Sequence, residues 1–167
     1  MIRIVERSLA DLPVDAVVRC ADDHLRPIGG VSEALDRAAG DRFADQRRVQ
    51  APLEVGSAVV TGGGELAAEF VLHIVIQGVD RTASRDTIRK ALTSAWHRAE
   101  GWQLTTVAAA LSGLGGTALS LEEVAVALVE TFRDRAGASG FPAELQIVID
   151  DPGQRGAVEP FLPGTAR

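Results

Sequence analysis

Residues 16–40 read AVVRCADDHLRPIGGVSEALDRAAG, and the rest of the chain is organised around them. The stretch opens on Ala16-Val17-Val18, a short apolar run that reads as a buried strand. Polar, turn-prone residues follow, then Gly29-Gly30-Val31. Val31, Ala34, Leu35, Ala38 and Ala39 recur at i, i+3, i+4, i+7 and i+8, the stripe of a helix packed on a sheet. A strand therefore feeds a glycine loop, and the loop feeds a helix N-terminus. Free backbone N–H groups and the positive end of the helix dipole meet there, which suits an anion. Glycines also let the backbone approach a ligand without a Cβ between. The same residues would serve equally as a tight helix-entry turn.

Outward from this unit, Ile2-Arg3-Ile4-Val5 reads as a first strand, and a loop carrying Ser8 and Asp11 follows it. After the helix, Asp41 to Gln50 reads as a further charged helical turn or two, broken by Pro52 and Gly56. Ser57 to Thr61 is a short strand. Phe70 to Gln77, FVLHIVIQ, alternates so little that burial on both faces is expected. From Ser84 the period changes: Ile88, Ala91, Leu92, Ala95, Trp96 and Ala99 share one helical face, which Gly101 ends. Thr105 to Leu111 is a small-residue strand running into Ser112-Gly113-Leu114-Gly115-Gly116, a second glycine loop. Ser120 and Glu123 form a capping box for a helix stopping near Gly137. Leu145 to Ile149 is the last strand.

Strands alternating with amphipathic helices give a three-layer α/β/α fold: a mixed, mostly parallel sheet covered on both faces. Ligands of such folds sit outside the C-terminal ends of the strands, where both glycine loops are expected. The 167 residues fit one domain, expected over 1–152, with 153–167 as a short helix or tail packed on it. A net charge of −6 argues against a nucleic-acid surface. No apolar run has the length to cross a bilayer, and the first residues lack a signal pattern. One cysteine, Cys20, excludes an internal disulfide and fits a reducing compartment, so the cytoplasm is expected. His24, His73 and His97 lack metal-ligand spacing, and neither a metal nor a cofactor is expected.

The order of elements resembles a macro domain, the ADP-ribose-binding α/β/α module. Members carry Asn-Ala-Ala-Asn at a strand end, then Gly-Gly-Gly-Val, then a helix ending in Ala-Ala-Gly. The same spacing here reads Arg19-Cys20-Ala21-Asp22, Ile28-Gly29-Gly30-Val31 and Ala38-Ala39-Gly40. Gly56 to Thr61 and Val71 to Val75 look like two further family strands, and Gly113-Leu114-Gly115-Gly116 sits where the family places a second phosphate-gripping loop. The similarity runs from about Ile2 to Asp151.

The resemblance implies a ligand, ADP-ribose or an ADP-ribosylated protein, and a set of contacts. Gly29, Gly30 and Val31 would hold the distal ribose and pyrophosphate through backbone N–H groups. Gly113, Leu114, Gly115 and Gly116 would grip from the other side, or simply connect strand to helix. Ser8, followed by Leu9, stands where members place an Asp against adenine, and Asp150 where many place a stacking aromatic. Asp22 aligns with the asparagine that handles the distal ribose, which makes it the candidate catalytic residue. Asp22 and Asp23 would bond ribose hydroxyls or activate a water, or remain a solvated loop. Arg19 would neutralise phosphate, or pair with Asp22 or Asp23. His73 and Trp96 read as core, and Cys20 as an inert buried thiol. Three functions follow: binding of ADP-ribose or a related nucleotide diphosphate, hydrolysis of ADP-ribose from proteins or of its esters, or a scaffold without a nucleotide.

Overall fold

The computed structural model describes residues 1–114 and 119–162. The strands are β1 (Ile2–Val5), β2 (Ala16–Asp22), β3 (Ala58–Gly62), β4 (Phe70–Gln77), β5 (Thr106–Ala110) and β6 (Glu144–Val148). They form one sheet in the order β1-β6-β5-β2-β4-β3. β3 runs antiparallel to β4, and the remaining pairs are parallel. The helices are α1 (Gly30–Ala39), α2 (Phe43–Gln46), α3 (Arg85–Gly101), α4 (Leu121–Ser139) and α5 (Arg155–Val158). The fold is the mixed three-layer α/β/α arrangement expected from the sequence.

Alternation along the central strands sorts residues between the layers. Val18 and Cys20 of β2 join Leu72, Ile74 and Ile76 of β4 in the core beneath α3 and α4. Val17 and Val71 face the opposite way, toward Leu35 and Ala39 of α1 and Phe43 of α2. Small side chains on β5, Ala108 and Ala109, let the layers close on both faces of the sheet. Trp96 is fully buried; its ring meets Phe132 edge-on, and its Nε1–H donates to Thr131 Oγ1 at 2.9 Å. A side chain of that size contributes roughly 1.5–3 kcal/mol or more by leaving water. Trp102, just past α3, instead stands at the sheet rim against Phe70.

Local signals act where the sequence placed them. The Ser120–Glu123 capping box starts α4, and Ser84 with Thr87 forms a second box that starts α3. Gly140 ends α4 in the left-handed conformation, beyond the expected stop at Gly137. Only Phe43–Gln46 of the charged segment 41–50 is helical. Among the described residues, no helix is long and apolar enough to cross a membrane.

The strand order has a consequence for function. From β2 the sheet extends one way through β4 and β3, and the other way through β5, β6 and β1. The chain reverses its direction of winding between β2 and β5, the place where open α/β sheets leave a crevice.

Candidate functional site

The loop from β2 to α1 is built from its backbone. The Cys20 carbonyl accepts from the Ile28 N–H at 3.2 Å and from the buried Ser32 Oγ–H at 2.9 Å, pinning both loop end and helix start to β2. Gly29 is the N-cap, at φ +84°, a region that favours glycine. It has no side chain with which to cap the helix. A Cβ placed on Gly29 or Gly30 would meet nothing within 4 Å, so the start of α1 is uncrowded; the first N–H groups of a helix have no partner within it.

Beside that helix start lies a cleft of about 390 Å³ lined by Ser8, Leu9, Val31, Leu35, Ala110 and Asp150, among others. It sits at the C-terminal ends of β1, β5 and β6, walled by α1, the helix that follows β2. Leu9 and Leu35 are buried and form an apolar floor, while Ser8, Asp11 and Asp150 stand exposed at the rim. Its size falls within the roughly 300–1,000 Å³ of small-molecule sites. Gly113 packs on Val31: a Cβ there would lie 2.9 Å from Val31 Cβ. The second glycine loop therefore begins against the helix that the first one starts. Ser112 Oγ–H donates to Asp150 Oδ2, joining the loops that follow β5 and β6.

Of the residues expected at the site, Ser8, Leu9, Val31 and Asp150 line this one cleft. Gly29 and Gly30 lead directly into it through Val31. Leu114 is a different case, because its side chain is buried in the core under α3 and α4. Gly115 and Gly116 lie outside the described residues. Asp11, Ala34, Leu35 and Ala38 also line the cleft. The helical stripe of α1 marked Ala34, Leu35 and Ala38 as apolar, but it does not tell a residue under a cleft from one under a sheet.

Asp22 and Asp23 lie outside the lining of that cleft. Asp22 Oδ1 accepts from the backbone N–H groups of His24 and Arg26, each at 2.9 Å. Its Oδ2 takes the Arg26 Nε–H at 2.8 Å, so the carboxylate holds the turn. Asp23 is buried, and its Oδ1 lies 3.0 Å from His24 Nδ1. Together Asp22, Asp23 and His24 bring donor atoms within 4.8 Å of one another, a grouping missed when the three histidines were read one at a time. Asp22 is already engaged by Arg26 and by backbone, and Asp23 Oδ1 by His24 Nδ1.

Arg19 corrects the sequence reading. It pairs with Asp36, not with Asp22 or Asp23, and is not in the lining of the cleft beside α1. Strand alternation turns it under α1, where Nε and Nη2 meet Asp36 at 2.6 and 2.8 Å. Nη1 lies 3.1 Å from Nδ1 of His73, its register partner on β4. Arginine only donates, so Nδ1 accepts and the His73 proton sits on Nε2, 2.7 Å from Thr61 Oγ1. Burial, and then the nearby Arg19 and Arg47 charges, hold the His73 pKa well below 6.5. His73 is thus the satisfied core histidine expected. Burial likewise pushes the Cys20 thiol up to about 12, far from a reactive thiolate.

The family model described as Macro domain matches residues 18–128. An uncharacterised protein of Mycobacterium tuberculosis is 26% identical over 148 residues, 89% of this chain and 40% of that protein. The chain thus spans about two fifths of the length of that relative. An O-acetyl-ADP-ribose deacetylase of Salmonella typhimurium is 36% identical over 78 residues, 44% of each chain. Among solved structures, a Trypanosoma brucei macrodomain in complex with ADP-ribose is similar at TM-score 0.81 and 22% identity, covering 95% of this chain and 68% of that one.

Proposed function

The chain belongs to the macro domain family, and from that premise we propose that it binds ADP-ribose or a related nucleotide diphosphate in the cleft beside α1. One observation carries the reading: an apolar slot and an open, side-chain-free helix start meet at Val31. The pyrophosphate sits against the N–H groups of Gly29, Gly30 and Val31, where the helix dipole and unpaired donors favour an anion. The base lies over Leu9 and Leu35, with Ser8 and Asp150 at its edge. The trypanosomal neighbour with ADP-ribose bound supports this choice of ligand class.

Binding is preferred over hydrolysis. A general base needs a free lone pair within reach of a water and the substrate. Asp22 lies outside the cleft lining, and its carboxylate is turned to the N–H groups of its own turn and to Arg26.

Calorimetric titration with ADP-ribose tests the reading, with Gly30→Glu as the control. The space over Gly30 admits the new side chain without disturbing the fold, and its carboxylate occupies the anion's place. Wild type should bind between micromolar and millimolar, and Gly30→Glu at least tenfold more weakly with an unchanged melting temperature. No heat and no thermal shift at millimolar ADP-ribose would overturn the proposal.

A further inference from the structure

A second recess, of about 570 Å³, opens between the turn that follows β2 and the segment that follows α2. His24, Arg47, Arg48 and Gln50 line it, with Ala44 and Val49. It shares no lining residue with the cleft beside α1, and its charge character is the reverse. The cleft has two carboxylates and no cation in its lining; the recess has two arginines and a histidine, and no carboxylate. In a chain of net charge −6 such a gathering runs against the overall balance. Each of the three is held by a carboxylate that is not itself in the lining. His24 Nδ1 lies 3.0 Å from Oδ1 of the buried Asp23. Arg47 donates to the Leu25 carbonyl at 3.1 Å, meets Asp36 Oδ2 at 3.4 Å and lies over the Phe43 ring. Arg48 Nη2 lies 3.0 Å from Asp45 Oδ1. Among the described residues, His24 Nε2, Arg48 Nε and Nη1 and the Gln50 amide have no hydrogen-bond partner.

From this arrangement we infer that the recess is a second anion site, which takes a phosphate group, free or as a monoester, on His24, Arg48 and Gln50. The site is separate from the nucleotide cleft and stands whether or not ADP-ribose binds there. The Arg48 guanidinium presents donors in a fixed fork that matches two phosphate oxygens. Arg47 adds positive charge at the wall while its own bonds keep it in place. His24 narrows the choice of anion. With Nδ1 facing Asp23, Nε2 accepts in the neutral ring and donates in the charged one. A phosphate that keeps one proton suits both states, because it offers a P–OH as well as P–O⁻ oxygens. Sulfate has no hydrogen to give, and a neutral His24 would set lone pair against lone pair.

NMR of the histidine side chains tests the inference, with inorganic phosphate, phenyl phosphate and sulfate titrated at neutral pH and one ionic strength. The two phosphates should move the His24 ring signals with a dissociation constant of about 1 mM or less. Whichever of them binds more tightly tells a free phosphate from an esterified one. Sulfate should bind about tenfold more weakly. Arg48 is largely exposed, so Arg48→Glu should weaken phosphate about tenfold with the melting temperature unchanged, and Arg48→Lys should recover part of the loss. Gly30→Glu should leave this binding as it is while it weakens ADP-ribose, so the two sites hold or fail separately. Still His24 signals at tens of millimolar phosphate, sulfate binding as tightly as phosphate, or an affinity unmoved in Arg48→Glu would each overturn the assignment.

Discussion

Arg19 holds Asp36 through two hydrogen bonds, at 2.6 and 2.8 Å, and so fastens α1 to the central strand beneath it. The Arg19 side chain is wholly buried, whereas that of Asp36 keeps 14% exposure and a second cation, Arg47, at 3.4 Å. The two partners are therefore unequal. Asp36→Leu strands a buried guanidinium and should cost about 3–5 kcal/mol. Arg19→Met leaves Asp36 with Arg47 and some water, and should cost less, about 1–3 kcal/mol. Urea denaturation measures both, and the double variant should lose less than the sum of the two.

His73 gives stability a pH dependence with a definite sign. Its folded pKa lies well below the 6.5 of a free imidazole, so the unfolded chain takes up a proton that the native one refuses. The contribution is complete above about 6.5 and is lost as the pH falls below it, by at most about 1.4 kcal/mol per unit. Unfolding free energies at pH 7.5, 6 and 5 should show this decline, and His73→Gln should flatten it. An equal slope in the variant would assign the decline to other groups.

Gly113 is fixed by contact with its neighbour. Alanine there would bring its Cβ to 2.9 Å from the β-carbon of Val31, a branched side chain that cannot swing clear. Gly113→Ala should cost about 1–3 kcal/mol by overpacking and weaken nucleotide binding as well. Thermal melts and titration on the same sample separate the two effects.

Electrostatics should oppose the ligand's approach. The chain carries −6, and among the described residues Asp11 and Asp150 line the cleft with no cation in the lining. Salt screens that repulsion, with a Debye length of about 10 Å at 0.1 M. Affinity for ADP-ribose should thus hold or rise between 20 and 300 mM salt, on the order of twofold. A steep fall would point to an arginine in contact with the phosphates.

The fold was legible because its signals are local and repeated. The apolar runs of β2 and β4, the stripe of α1 and the Ser120–Glu123 box each fix an element by its neighbours in sequence. The cleft was legible in part, since Ser8, Leu9, Val31 and Asp150 were placed by position relative to strands. The fate of Arg19 was not. Its partner stands 17 residues away on a helix, and only the choice of strand face decides between Asp36 and the nearer Asp22. Nor did the residues announce that Asp22 would close its own turn, because its partners are mainly backbone groups.

The two indoles occupy opposite surroundings, one sealed between α3 and α4 and the other 55% exposed at the sheet rim. Their emission should differ accordingly, with Trp96 blue and sheltered from acrylamide and Trp102 red and readily quenched. The protein thus carries two built-in optical probes, and a Trp102→Phe variant would leave a single fluorophore reporting whether the helical layer behind the sheet has come apart.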